Sequence, residues 1–324
     1  MEIRENILET IGNTPLIRLS RFFKGEAVLA VKVESFNPGS SVKDRIGLSL
    51  IEAAEQAGKL KPGGTIVEPT SGNTGVGLAI VALLRGYKLV CTASSKIPPE
   101  KVALLEAYGA EVITCPADVP PEDPRSYYKM AEKVRDERGA FLPNQYANPA
   151  NPDAHYRTTG PEIWRQTGGR ITHWVTSIGT GGTISGTAKY LKEKNRDIRV
   201  IGIDIEGSVF GYYREHGTMP PQDQIHQYLA DGIGEDFIPA CVWWDYIDEV
   251  ITVSDKTAYR TTMELTRKEG IFCGSSGGAA AAGARQIAEP LAAGAIVVTL
   301  LPDSGERYLS KLNNAWMRER GLVE

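Results

Sequence analysis

The stretch Thr65-Ile66-Val67-Glu68-Pro69-Thr70-Ser71-Gly72-Asn73-Thr74-Gly75-Val76 decides the fold. A β-branched run, Thr65–Glu68, ends in a glycine-bearing turn, and the turn opens an apolar helical pattern over Val76–Leu84. The same order recurs along the chain. Val28–Val33, Lys88–Thr92, Glu111–Cys115, Trp174–Ser177, Val200–Ile205, Val250–Val253 and Ala295–Leu301 also read as buried strands. Helical spacing marks Ile46–Gln56, Glu100–Tyr108, Tyr128–Arg138, Glu162–Gln166, Ile184–Lys194, Lys256–Lys268 and Ala279–Glu289. Such alternation specifies an α/β fold of mostly parallel, twisted sheets flanked by helices. Ligands in folds of this kind sit beyond the carboxyl ends of the strands.

The 324 residues exceed what one hydrophobic core usually organises, so two domains with a cleft are expected. Leu142–Pro152, with its three prolines and three asparagines, interrupts the alternation and marks the candidate junction. A second irregular stretch, Glu206–Tyr246, is too long for an ordinary connection, and loops of that length commonly carry function.

Composition excludes several classes of function. The 36 basic and 40 acidic side chains give a net charge of −4, with no basic footprint for nucleic acid or an anionic membrane surface. The longest apolar runs, Val76–Leu84 and Leu291–Leu301, stop well short of the roughly 18 residues of a membrane span. The opening Met1-Glu2-Ile3-Arg4-Glu5-Asn6 lacks an apolar signal core, so a cytoplasmic location is expected. Cys91, Cys115, Cys241 and Cys273 are scattered, as buried thiols of a reducing compartment would be. His155, His173, His216 and His226 show no metal-ligand spacing, and structural or surface roles are expected for them.

Glycine is the unusual number, 34 where average usage of roughly 7% would give about 23. The surplus gathers in turns before helices: Thr70–Gly75, Gly179-Thr180-Gly181-Gly182-Thr183 and Gly274-Ser275-Ser276-Gly277-Gly278. A glycine turn at a helix N-terminus offers backbone N–H groups and the positive dipole end to an anion, so each is a candidate cradle for a phosphate or a carboxylate. Nucleotide motifs do not fit, since Ile184 and Thr187 stand where a dinucleotide fingerprint and a P-loop need glycine and lysine. Just past a further turn, Asn37-Pro38-Gly39-Ser40-Ser41-Val42-Lys43-Asp44-Arg45 sets a lysine in the first turn of a helix. The dipole disfavours an ammonium there, which lowers the lysine pKa toward the neutral amine that imine formation requires.

These segments, together with Ile11-Gly12-Asn13-Thr14-Pro15-Leu16, Gly232-Ile233-Gly234 and Leu301-Pro302-Asp303-Ser304-Gly305, resemble in order the pyridoxal-phosphate β-replacement family that contains cysteine synthase and cystathionine β-synthase. The resemblance covers nearly the whole chain. It implies a fold type II pyridoxal-phosphate enzyme, similar to the tryptophan synthase β subunit. A smaller N-terminal domain would span residues 40–150 and a larger one residues 1–39 with 151–324, with the active site in the cleft. Lys43 looks like the lysine that holds the cofactor as an imine, Gly179, Thr180, Gly181, Gly182 and Thr183 like the phosphate loop, and Asn73 like the partner of the ring hydroxyl. Thr70, Ser71, Gly72, Thr74, Gln145, Tyr146 and Gly232 match the substrate pocket, and Ser276 matches the residue that faces the pyridine nitrogen. A hydroxyl there makes the ring a weaker electron sink than a carboxylate would, which suits loss of a β-substituent over racemisation.

The implied activity is β-replacement on L-serine, or on an O-activated serine, by a thiol through a bound aminoacrylate. Asp123-Pro124-Arg125-Ser126-Tyr127-Tyr128, Glu206-Gly207-Ser208 and Ser310–Met317 favour cystathionine β-synthase, which joins serine and homocysteine. Thr158–Trp164 and Ser304–Leu309 read equally like cysteine synthase, which takes O-acetylserine and sulfide. The alternatives are a specialised synthase with an amine nucleophile and, outside enzymology, a silent binding subunit of another enzyme. The resemblance also implies a homodimer acting on small molecules, with Trp243 and Trp244 at the subunit interface. The haem-binding and paired regulatory segments of some cystathionine synthases have no counterpart in the sequence, so neither haem nor regulation through those modules is expected. Ser40 and Ser275 stand where glycine is common, which puts the nucleophile in question.

Overall fold

A computed structural model of the chain describes residues 3–70, 72–120 and 122–324. In chain order its elements are β1 (Leu16–Arg18), β2 (Val28–Val33), α1 (Lys43–Gln56), β3 (Thr65–Pro69), α2 (Asn73–Arg85), β4 (Lys88–Ser94), α3 (Pro99–Ala107), β5 (Glu111–Cys115), α4 (Tyr127–Arg138) and α5 (Ala150–Arg157). There follow α6 (Thr159–Gln166), β6 (His173–Ser177), α7 (Gly182–Lys194), β7 (Arg199–Ile205), α8 (Phe210–His216), β8 (Glu249–Val253), α9 (Asp255–Glu269), α10 (Ser275–Ala288), β9 (Ile296–Leu301) and α11 (Asn314–Glu319). All eight expected strands are present.

The chain divides into two compact units, one of the described residues of Met1–Ile11 with Asn37–Asn151 and one of Gly12–Phe36 with Pro152–Glu324. The bounds expected from the sequence gave residues 1–39 to the larger part. The opening residues instead cluster with the smaller unit, because Leu8 packs against its core of Ile51, Val76 and Leu89.

In the smaller unit β3, β4 and β5 form a parallel sheet in that order. Strand alternation sends Ile66, Leu89 and Cys91 to one face, under α1, α2 and α3, while Val67 and Val90 meet Ala131 and Val134 of α4 on the other. In the larger unit six strands run in the order β1-β2-β9-β6-β7-β8, all parallel except the β1–β2 pair. Val31, Val175, Ile203 and Val297 of that sheet pack on the small residues Ala279, Ala281, Ala284 and Ala288 of α10. Lys32 of β2 is wholly buried and pairs with Glu162 at 2.7 Å while donating to the Thr14 carbonyl at 3.0 Å, which ties β2, α6 and the segment before β1 together.

Three helices and one strand escaped the pattern reading. β1 is three residues long, and α5, α8 and α11 are 8, 7 and 6 residues, too short for a 3.6-residue period to stand out. Several long helices also begin earlier than their apolar spacing. α1 starts at Lys43, α2 at Asn73, α7 at Gly182 and α10 at Ser275, each two to four residues ahead of the first periodic apolar side chain. Their first turns are built from polar and glycine residues, and those turns carry the expected site.

Candidate active site

In the smaller unit Lys43 is the first residue of α1, half-buried between Ser41, Val42, Asp44 and Arg45, all of which are buried. The loop before it is held by its own helix, since the Asp44 carboxylate accepts the Gly39 amide at 2.5 Å. Ser40 closes this turn by donating its amide to the Asn37 carbonyl at 2.8 Å, and does so at φ +56°, in the left-handed region that favours glycine. α1 and α2 approach until a Cβ on Gly77 would stand 2.5 Å from the Lys43 carbonyl oxygen, and one on Gly47 would stand 2.5 Å from the Gly77 carbonyl carbon. Only glycine permits this contact, which fixes the start of α1 one turn along α2 from Asn73, the first residue of that helix.

The substrate residues expected around α2 are gathered in the same unit. Thr70 accepts the Gly72 amide at 3.3 Å, and the Thr74 hydroxyl donates to the Gln145 side-chain oxygen at 2.7 Å. Ser71 lies outside the described residues. Gln145 is buried and Tyr146 half-buried, both on the irregular segment that precedes α5. Three hydrogen bonds from two side chains hold that segment. Glu68, wholly buried at the end of β3, accepts the amides of Asn144 at 2.9 Å and Gln145 at 3.0 Å, and Asn151 donates to the Gln145 carbonyl at 2.7 Å. Burial raises the Glu68 carboxyl to about 7, although both amide hydrogen bonds pull the other way.

In the larger unit the expected phosphate loop, Gly179–Thr183, joins β6 to the N-terminus of α7, a 13-residue helix. Gly181 takes φ +87° as the N-cap, and a Cβ on it would meet the Val242 nitrogen at 2.7 Å, so the loop lies directly on the segment Cys241–Val242. Ser185 of α7 anchors the same segment by accepting the Trp243 amide at 2.9 Å. Thr183 meets the buried His155 ring at 3.3 Å, and His155 in turn meets Thr159 at 2.9 Å.

Gly232 and Ser276 come to the same place. A Cβ on Gly179 would meet the Gly232 carbonyl oxygen at 3.0 Å, and one on Gly232 would find the Ser276 hydroxyl at 3.8 Å. Ser275 and Ser276 open α10, both buried. Ser275 spends its hydroxyl on the chain, accepting the Asp231 amide at 3.2 Å, so the residue that departs from the family pattern is a tether for the Gly232 turn. Asp255 holds that turn from behind through the amides of Leu229 at 2.7 Å and Ala230 at 2.9 Å. The Asp303 carboxylate, which takes the Tyr308 hydroxyl at 2.5 Å, packs on the backbone of Gly274.

The donor set fits pyridoxal phosphate. The start of α7 presents amides and a positive dipole end beside the buried Thr180, the chemistry of a phosphate cradle. Ser276, buried at the start of α10 beside Gly232, carries a hydroxyl suited to a ring nitrogen. Lys43 stands at a helix N-terminus. Sequence reasoning missed Glu68 and Asp255 as tethers and His155 as the support of Thr183. An acid inside an apolar strand was a legible signal for Glu68. Nothing in the sequence joins His155 to Thr183, 28 positions apart. No helix is long and apolar enough to cross a membrane, and no His, Cys, Asp and Glu cluster suited to a metal occurs, both among the described residues.

Comparison with known proteins gives a consistent set of likenesses. A family model described as pyridoxal-phosphate dependent enzyme matches residues 7–303. The chain is 41% identical along its whole length to cystathionine β-synthase of Oryctolagus cuniculus, of which it spans 59%. It is 40% identical to cystathionine β-synthase of Apis mellifera, of which it spans 64%. It thus covers about three fifths of the length of these curated relatives. Among solved structures, O-ureido-L-serine synthase is 38% identical with a TM-score of 0.87, over 95% of this chain and 94% of that one. A hydrogen sulfide-producing enzyme from Fusobacterium nucleatum is 34% identical, also with a TM-score of 0.87, over 95% and 99% of the two chains.

Proposed function

The chain belongs to the pyridoxal-phosphate dependent enzymes, and on that premise we propose that it replaces the β-substituent of L-serine, or of an O-activated serine, with a thiol. The preferred reaction is that of cystathionine β-synthase, in which serine and homocysteine give cystathionine and water. The observation that carries this reading is the 41% identity to a cystathionine β-synthase over the entire chain.

Lys43 would bind the cofactor covalently, and its Nζ as a free amine would take the proton from Cα as general base. The amides of Gly179–Thr183 would hold the phosphate, and Asn73 would bond the ring hydroxyl. When bound, pyridoxal phosphate supplies the electron sink for the charge left at Cα. Ser276 gives the ring nitrogen a hydroxyl partner, which holds less positive charge there than a carboxylate and favours loss of the β-substituent. Thr70, Ser71, Gly72, Thr74 and Gln145 would take the substrate carboxylate, with Tyr146 and the Gly232 turn beside it. We further read the protein as a cytoplasmic homodimer. Membership of a family that is usually dimeric supports the second point, and the scattered thiols support the first.

A second reading keeps the chemistry and changes the partners: an O-activated serine with sulfide or another nucleophile. It is supported by the two solved structures above, which match this chain at nearly equal length and whose names specify products other than cystathionine, O-ureido-L-serine and hydrogen sulfide. Borohydride reduction followed by peptide mass spectrometry should find a pyridoxyl group on Lys43, and an unlabelled Lys43 would falsify the mechanism. Offering serine with homocysteine and O-acetylserine with sulfide separately should yield cystathionine from the first. Exclusive turnover of the second pair moves the assignment to cysteine synthase.

A further inference from the structure

The geometry points to Glu68 as a positioning residue for the substrate carboxylate, acting through Gln145, so that amino-acid affinity follows the charge state of the Glu68 side chain. This rests on the β-replacement reading above, in which Gln145 belongs to the substrate pocket.

Glu68 is the next-to-last residue of β3, whose other buried residues, Ile66 and Val67, are apolar, and its side chain is wholly buried. A carboxylate in such a place costs the fold stability unless both oxygens are satisfied. Here the Asn144 amide meets Oε2 at 2.9 Å and the Gln145 amide meets Oε1 at 3.0 Å. The two amides belong to consecutive residues, and Asn144 sits at φ +54°, which turns its own N–H and the next toward the same side chain. The carboxylate thereby sets the backbone from which the Gln145 side chain springs. That side chain faces its oxygen to the Thr74 hydroxyl at 2.7 Å, which directs its NH2 end, the end suited to a carboxylate, away from Thr74. An apolar isostere would keep the strand and lose this placement.

The arrangement needs the anion. A carboxylate accepts both amides, whereas protonating either oxygen sets an O–H against one of them. Burial places this change in an accessible range, with the carboxyl raised to about 7. From β4 the facing titratable group is the register partner Cys91, whose thiol burial and Glu68 push up to about 12. α2 carries one ionisable side chain, Arg85, at its far end and engaged with Glu52 and Glu55 of α1. The remaining charged residues of α1 that lie toward its start are Lys43, Asp44 and Arg45, those of α3 are Glu100, Lys101 and Glu106, and the tethered segment itself carries Tyr146. α4 covers the opposite face of the sheet. Burial and the two amides, rather than any of these charges, set the Glu68 ionisation.

The test is a spectral titration of the holoenzyme with L-serine and with O-acetyl-L-serine from pH 6 to pH 8, in wild type and Glu68→Gln. The ratio of variant to wild-type dissociation constants cancels the ionisation of the amino acid's own amine. Glu68→Gln keeps one acceptor and turns an NH2 toward the other amide. The ratio should therefore be about tenfold at pH 8 and within about twofold at pH 6, where wild-type Glu68 is itself protonated. The turnover number at saturation should change little, because Glu68 acts on binding through Gln145, whereas a general loss of structure would lower both. Glu68→Asp should restore part of the affinity. Gln145→Ala leaves the carboxylate in place and should show the same pH-dependent ratio, with the double variant no weaker than either single one. This arm stands even if Glu68→Gln fails to fold. A ratio that stays near one, or that does not vary with pH, overturns the proposal while leaving the enzyme reading intact. If the wild-type holoenzyme shows no spectral response to either amino acid, the enzyme reading fails and this proposal falls with it.

Discussion

The carbonyl oxygen of Lys43, at the start of α1, lies where a Cβ on Gly77 of α2 would stand only 2.5 Å away. The candidate nucleophilic lysine is thus located by a backbone contact with the helix that begins at Asn73, and any side chain at position 77 must push it aside. Gly77→Ala gains helix propensity of about 1 kcal/mol but overpacks a buried contact at a cost of roughly 1–3 kcal/mol. Urea denaturation should show a net loss of stability, and pyridoxyl labelling of Lys43 should fall relative to wild type. Full labelling at unchanged stability would show that the helices can part without consequence.

Ser40 holds φ +56° in the loop before Lys43. A non-glycine residue in this region costs roughly 1–2 kcal/mol, part of which glycine returns as extra freedom of the unfolded chain. Ser40→Gly should therefore raise the urea midpoint by an amount equivalent to about 0.5–1 kcal/mol. A lower midpoint would mean that the serine hydroxyl contributes more than the backbone loses.

Ser275 accepts the Asp231 amide at 3.2 Å next to the Gly232 turn. Removing the hydroxyl leaves that amide without its partner, a loss of about 1 kcal/mol, or roughly fivefold in an equilibrium. Ser275→Gly should raise the KM for the amino acid by about that factor, with cofactor content unchanged. Ser275→Thr, which keeps the hydroxyl, should retain affinity better than Ser275→Gly. An unchanged KM in the glycine variant would remove the tether from the account.

The raised carboxyl of Glu68 also carries a prediction about stability, and its sign is the reverse of that for a paired surface acid. The folded protein holds this proton up to about pH 7 while the unfolded chain releases it near 4.5. Between those values the folded state binds more protons, so stability falls as pH rises. A shift of this size amounts to roughly 3 kcal/mol across the window. Chemical denaturation at pH 5 and pH 8 should show Glu68→Gln gaining on wild type at the higher pH. A difference between the two proteins that is independent of pH would refute the assignment.

Much of this protein was legible before any coordinates. Strand-to-helix alternation determined the α/β class, because β-branched runs and helical spacing are local signals that neighbouring residues supply. The turns Thr70–Gly75, Gly179–Thr183 and Gly274–Gly278 marked the candidate cradles for the same reason: a glycine turn at a helix N-terminus is a local signal for an anion site. The place of Lys43 at the start of a helix was readable from the turn before it. What tertiary structure alone decided is how those pieces are held. Gly77 reaches Lys43, Ser275 reaches Asp231, His155 reaches Thr183, and Glu68 reaches across 77 positions to Gln145. Each of these contacts depends on packing density and on where a buried polar group must find its partner, and neither quantity is encoded in the spacing of residues along the chain.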